Sequence, residues 1–127
     1  MQLGELEKQV LHYLWQYKTA DAKQVFAYFE SKRGGTLNTI QSTLDRLYKK
    51  GLLTRHKVSY AWQYEPKVEK NQLIAQLIKS VTSDFISDEE NGLIAAFSSI
   101  SSELNEDQLL KLESLIEEQK QKLQQGK

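Results

Sequence analysis

Thr36-Leu37-Asn38-Thr39-Ile40-Gln41-Ser42-Thr43-Leu44-Asp45-Arg46-Leu47-Tyr48-Lys49-Lys50-Gly51 reads as a short helix with two unlike faces. At about 100° per residue, Ile40, Leu44 and Leu47 fall on one side. Asn38, Ser42, Asp45, Arg46 and Lys49 fall opposite, with Thr39 at the margin. Small hydroxyl and amide side chains grouped around one arginine make a poor core and a good reader of base edges. Thr36 suits the N-cap of this helix, and Gly51, directly after Lys49-Lys50, suits a C-terminus closed by a left-handed glycine. The two lysines complement the helix dipole and are equally placed to meet phosphate.

Upstream, Leu3, Leu6, Val10, Leu11 and Leu14 recur at helical spacing, which predicts an amphipathic helix over 4–17. Asp21 followed by Gln24 forms a capping box that opens a second helix. That helix carries Ala22, Val25, Phe26 and Phe29 on one face and is expected to end near Glu30, with Ser31-Lys32-Arg33-Gly34-Gly35 as a flexible turn. Downstream of Gly51 the period shifts from 3.6 to 2. Leu53, Arg55 and Lys57 alternate with Thr54 and His56, then Tyr60, Trp62 and Tyr64 with Ala61 and Gln63, which predicts a β-hairpin about Val58-Ser59. The turn lacks the Asn-Gly or Asp-Gly pair that tight hairpins favour. Pro66 closes the unit. Three helices and a hairpin within residues 1–66 are the element order of a winged helix-turn-helix domain.

Residues 67–127 read as helical throughout. Leu73, Ile74, Leu77, Ile78 and Val81 stripe a helix over about 69–82, and a Ser87/Glu90 capping box opens another that carries Leu93, Ile94, Phe97 and Ile100. Asn105 and Gln108 open the last helix, whose apolar positions are Leu109, Leu112, Leu115, Ile116 and Leu123. Three short helices of this size cannot bury all their apolar faces alone. Packing against a second copy resolves this, and it places two recognition helices about one DNA turn, roughly 34 Å, apart. The expected fold is therefore mostly α with a small β-hairpin: an N-terminal winged helix-turn-helix domain (1–66) and a C-terminal helical dimerisation domain (67–127). Dimer contacts are expected at Leu73, Leu77, Leu93, Phe97, Leu109, Leu112 and Ile116.

The charge pattern agrees with this division. The formal net charge is zero, but residues 1–66 hold ten Lys/Arg against six Asp/Glu, and residues 67–127 seven against eleven. Within 30–57 the balance is seven basic to two acidic, so an anionic partner is expected for the first part alone. With 39% hydrophobic and 27% charged residues, the composition is that of a globular protein and not of a disordered chain. The absence of cysteine excludes disulfides, thiolate metal sites and cysteine nucleophiles. The start Met1-Gln2-Leu3-Gly4-Glu5 does not resemble a signal peptide, and the apolar run Leu93-Ile94-Ala95-Ala96-Phe97 is too short to span a bilayer. A cytoplasmic location without membrane insertion is expected.

A helix in the major groove presents its N-terminal turns to base edges while its C-terminal end leans over the backbone. That ranks Asn38, Thr39, Ser42 and Arg46 as base readers: Asn38 suits adenine, Arg46 guanine, and the methyl of Thr39 thymine. Lys49 and Lys50, with Arg55, Lys57, Ser59 and Tyr60 around the hairpin tip, suit phosphate or minor-groove contact. Asp45 would repel phosphate and is expected to orient Arg46 or to remain solvated.

Several stretches together resemble the penicillinase-repressor family (BlaI/MecI/CopY type). They are Leu3-Gly4-Glu5-Leu6-Glu7, Val10, Leu14-Trp15, Thr39-Ile40, Leu44-Asp45-Arg46-Leu47, Lys49-Lys50-Gly51-Leu52 and Tyr64-Glu65-Pro66. Leu93-Ile94-Ala95-Ala96-Phe97 and Leu104-Asn105-Glu106-Asp107 extend the similarity into the C-terminal part. The resemblance implies a homodimeric winged-helix repressor on a dyad-symmetric operator, with contacts on the third helix at Asn38, Thr39, Ser42 and Arg46. It also implies release either through C-terminal cysteine motifs, which this chain lacks, or by a membrane sensor protease that cuts an Asn-Phe bond. The matching bond here is Ala96-Phe97, which retains the Phe and not the Asn.

Two other function classes bound this reading. An enzyme is disfavoured, since His12 and His56 have no metal-ligand spacing, Gly34-Gly35 is no phosphate-cradling loop, and no cofactor is implied. A winged-helix module for protein contact, or a regulator sensing a small molecule between Trp15, Trp62 and the tyrosines, are the remaining alternatives.

Overall fold

The computed structural model describes residues 2–85 and 92–126; the side chains of residues 82–85 and of Leu93 are also outside the description. Its elements are α1 (Glu5–Tyr17), α2 (Ala22–Arg33), α3 (Leu37–Lys49), β1 (Leu53–Val58), β2 (Ala61–Pro66), α4 (Lys70–Phe85), α5 (Gly92–Ser101) and α6 (Glu106–Gln125). The chain divides into two compact units, Met1–Ser80 and Val81–Lys127.

Helical periodicity builds the first unit. α1 buries Val10, Leu11 and Leu14, α2 buries Val25 and Phe29, and α3 buries Ile40, Leu44 and Leu47 against them. Burying each such leucine is worth about 1.5–3 kcal/mol relative to leaving it in water. The expected capping box is present in α2: Asp21 Oδ1 accepts from the Gln24 N–H and Gln24 Oε1 from the Asp21 N–H, both at 2.8 Å. α2 runs three residues past Glu30, so the predicted flexible turn is shorter than expected. Nothing in Ser31-Lys32-Arg33 breaks a helix, and Lys32 and Arg33 in the last turn suit its dipole. The helix ends where Gly34 takes a positive φ of 73° and donates its N–H to the Glu30 carbonyl at 3.1 Å. α3 starts on Thr36, whose Oγ1 accepts from the Thr39 N–H at 3.2 Å, and stops at Gly51 with φ 81°.

β1 and β2 pair antiparallel in the register Leu53↔Pro66, Arg55↔Tyr64, Lys57↔Trp62 and Val58↔Ala61. The loop is Ser59-Tyr60, and Ser59 alone of the two has a positive φ, 58°. That is the pattern of a turn with one left-handed position, usually given to glycine, held here by serine. A third backbone segment joins the hairpin: Ala20 bridges Tyr64 through reciprocal N–H···O bonds of 3.1 and 2.8 Å.

The first unit does not stop at Pro66. Leu73 is 2% exposed within its core, Val68 and Leu77 pack against that core, and the Trp15 indole N–H donates to the Val68 carbonyl at 2.9 Å. Through Ser80, α4 therefore belongs to the winged domain. This moves the boundary from the expected 66/67 and withdraws Leu73 from the list of dimer contacts, because its surface is already covered by its own unit.

The second unit looks different. α6 opens on the predicted Asn105/Gln108 capping box, with bonds of 2.9 and 3.0 Å, and buries no residue. Ile94, Phe97, Ile100, Leu109, Leu110, Leu115, Ile116 and Leu123 are all exposed, and Leu112 is half-buried. The Ser87/Glu90 capping box and the Leu93 side chain lie outside the described residues. Among the described residues no helix is long and apolar enough to cross a membrane.

Candidate nucleic-acid interface

α3 separates its two faces cleanly. Ile40, Leu44 and Leu47 are at most 2% exposed, whereas Asn38, Thr39, Ser42 and Arg46 face solvent. Asn38 and Ser42 make no side-chain hydrogen bond among the described residues, which leaves their donors and acceptors open to a base edge. The Thr39 hydroxyl already shares a 3.0 Å hydrogen bond with that of Thr36. Arg46 is held by a residue that the sequence reading passed over. Thr43 is fully buried, donates its hydroxyl to the Thr39 carbonyl at 2.8 Å, and accepts from Arg46 Nη2 at 3.2 Å. Its signal was a lone hydroxyl on the apolar side of the helix, three residues before Arg46.

Asp45 does not orient Arg46. Its carboxylate meets Lys49 Nζ at 3.0 Å and Arg55 Nη1 at 3.3 Å. The Lys49 hydrogen bond, then its charge and those of Arg55, outweigh slight burial and hold the Asp45 carboxyl below the usual carboxylate range. The acidic group on the helix surface is thereby neutralised from two sides.

The six residues expected at the DNA backbone separate into two sets. Lys49, Lys57, Ser59 and Tyr60 stand exposed, and Tyr60, at 99% exposure, crowns the wing. Lys50 and Arg55 also have partners inside the domain. Lys50 Nζ turns back onto α1, donating to Glu7 Oε2 at 2.7 Å and to the Gln2 carbonyl at 2.8 Å. Glu7 is buried, and burial raises its pKa. The hydrogen bonds from Lys50 and the Gly4 N–H, with the charges of Lys50 and Arg46, more than offset this and leave it lowered. A buried carboxylate needs a cation, and Lys50 supplies it. Arg55 is packed between rings of α3 and β2, so its charge is likewise engaged inside the domain.

Trp15 borders a hollow with Pro66 and Glu69, and Trp62 lines another between α2, α3 and the wing. The geometry that remains is a basic, polar helix face beside a projecting hairpin, and it defines a winged-helix DNA-binding domain.

Comparison with known proteins makes the same assignment. The sequence model of the penicillinase repressor family matches residues 3–118. The penicillinase repressor of Bacillus licheniformis is 24% identical over 119 residues, covering 94% of this chain and 92% of that one. The methicillin resistance regulatory protein MecI of Mammaliicoccus sciuri is 24% identical over 115 residues, covering 91% and 93%. The solution structure of the DNA-binding domain of the repressor BlaI superposes with a TM-score of 0.51 at 28% identity, covering 54% of this chain and 84% of that domain. The chain belongs to the penicillinase repressor family. It is a DNA-binding transcriptional repressor, and the family is not an enzymatic one.

Proposed function

We propose that this repressor occupies a dyad-symmetric operator as a homodimer, with α3 in the major groove of each half-site and the β1–β2 wing against the flanking backbone. Asn38, Thr39, Ser42 and Arg46 read base edges; Arg46 pairs with guanine and Asn38 with adenine. Lys49, Lys57, Ser59 and Tyr60 contact the backbone or minor groove. The observation that carries the reading is the open polar face of α3 over a buried Ile40-Leu44-Leu47 face, in a chain of this family. Dimerisation falls to the second unit, where Phe97, Leu109 and Ile116 are exposed and Leu112 is half-buried. Release is assigned to a membrane sensor protease acting at Ala96-Phe97, in an α5 whose residues from Ile94 to Ile100 are exposed.

Binding of a duplex selected in vitro from random sequence, followed over increasing salt, tests this. Each phosphate neutralised should add about −0.9 to the log–log slope. Arg46→Ala should remove preference at one symmetric base pair and cost about 1–3 kcal/mol per half-site. Unchanged affinity would remove Arg46 from the reading, and a flat salt response would favour the protein-contact module.

A further inference from the structure

The outer half of the wing has little core to hold it. Leu53 and Tyr64 anchor its base, but Val58 is 48% exposed and Tyr60 almost wholly so. The Ala20 bridge reaches the hairpin only at Tyr64, and a two-stranded hairpin is marginal in water, so something else must hold the outer half at the angle at which it projects.

Arg55 stands where that fixture is needed. It shares a strand face with Lys57, and the register puts Tyr64 opposite and Trp62 on the diagonal, within reach of a long side chain. Asp45 and Tyr48, three residues apart, occupy one face of α3. The Arg55 guanidinium carbon lies 4.0 Å from the Tyr48 ring centroid and 4.4 Å from that of Trp62, while Nη1 donates to Asp45 Oδ1 at 3.3 Å. Its side chain is 22% exposed. One planar cation thus joins α3, β1 and β2. A guanidinium can stack on rings while it hydrogen-bonds a carboxylate, and an ammonium reproduces only the charge.

We propose that Arg55 is a positioning residue that locks the wing to the recognition helix, so that Tyr60 and the base-reading face of α3 meet the duplex in one fixed geometry. The proposal rests on the reading of α3 and the wing as the DNA-contacting surface. A fixed wing strengthens binding because the ordering cost is met before DNA arrives. Arg55 then acts through Tyr60 and not through a phosphate of its own.

A double-mutant cycle on the full chain tests this, with the in vitro selected duplex as probe. Tyr60→Ala should weaken wild-type binding about tenfold, Arg55→Lys should do the same at unchanged salt slope, and the double variant should be less than about twofold worse than either. Base preference at the Arg46 position should persist. Additive losses would overturn the lock. So would wild-type binding by Arg55→Lys together with a slope reduced by about 0.9 in Arg55→Met, which is the signature of a phosphate contact.

If Tyr60→Ala changes nothing, the wing's role in DNA binding fails, and the lock is judged on the free protein. Hairpin amides exchanging at least about tenfold faster in Arg55→Lys support it, and unchanged exchange overturns it. Should Arg55→Lys not fold, Asp45→Asn leaves both rings in place and probes the same lock from the α3 side; coupling to Tyr60→Ala supports it and additivity overturns it.

Discussion

The two compact units handle their apolar residues in opposite ways. In residues 1–80, three helices, a hairpin and the start of α4 enclose thirteen buried hydrophobic residues, from Val10 to Leu73. In residues 81–127, α6 buries nothing and eight large hydrophobic residues from Ile94 to Leu123 are exposed. Both stretches are amphipathic by pattern. The difference is whether a single chain brings a complementary face to each stripe, and it teaches that amphipathicity predicts burial without naming the partner. In the winged domain the partner is the same chain; for α5 and α6 the proposed partner is a second copy.

The largest test of that contrast is where the chain is cut. Ending it at Pro66 removes Leu73, Leu77 and Val68, and with Val68 the acceptor of the Trp15 indole. That should cost more than the roughly 2–5 kcal/mol of a single core leucine. Ending it at Ser80 should leave a cooperatively folding, half-site-binding monomer. Denaturant unfolding and sedimentation of the two fragments check this; equal stability would return α4 to the second unit, and a dimeric 1–80 fragment would break the proposed division of labour.

Next come single side chains. Leu44→Ala, at a fully buried position, should lower the unfolding free energy by about 2–5 kcal/mol. Ile116→Ala, at a 51% exposed position, should leave monomer unfolding unchanged and weaken self-association. Sedimentation over a range of protein concentration separates the two effects. If Ile116→Ala destabilises the monomer as much as Leu44→Ala does, the contrast between the units fails.

A smaller effect concerns acid. Glu7, with its carboxyl held low, contributes stability that is fully present above the ordinary carboxylate range and is lost as pH falls through its lowered folded value. Glu7→Gln keeps an acceptor for the Gly4 N–H but uncouples Lys50, and should cost roughly 1–2 kcal/mol at neutral pH, the one-third exposure of Lys50 discounted. The gap between variant and wild type should close in acid, as thermal melts across pH would show. A gap that widens as pH falls would contradict a Glu7 carboxyl held low in the folded state.

Much of the winged domain was legible because its local signals are side-chain signals. Asp21/Gln24 and Asn105/Gln108 cap where they were expected, and the alternation of Leu53, Arg55 and Lys57 gave the strand face that the register confirms. The Ala20 bridge to Tyr64 was not legible, because backbone pairing leaves no mark on side-chain identity. The end of α2 was misplaced because Ser31-Lys32-Arg33 reads equally as turn or as final helical turn. The partners of Lys50 and Arg55 were not legible for a different reason. A cation that suits phosphate also suits a carboxylate, and nothing local distinguishes them.

By itself, the sequence determined the element order, the two faces of α3 and the exposed amide and hydroxyl side chains of Asn38 and Ser42. These follow from periodicity and capping, which act over one or two helical turns. Tertiary structure alone decided that Leu73 completes the winged core, that Lys50 serves Glu7, and that Arg55 links α3 to the wing. Their partners lie far off along the chain, at separations of 43 residues for Glu7–Lys50 and 10 for Asp45–Arg55, and only folding brings those charges and surfaces together.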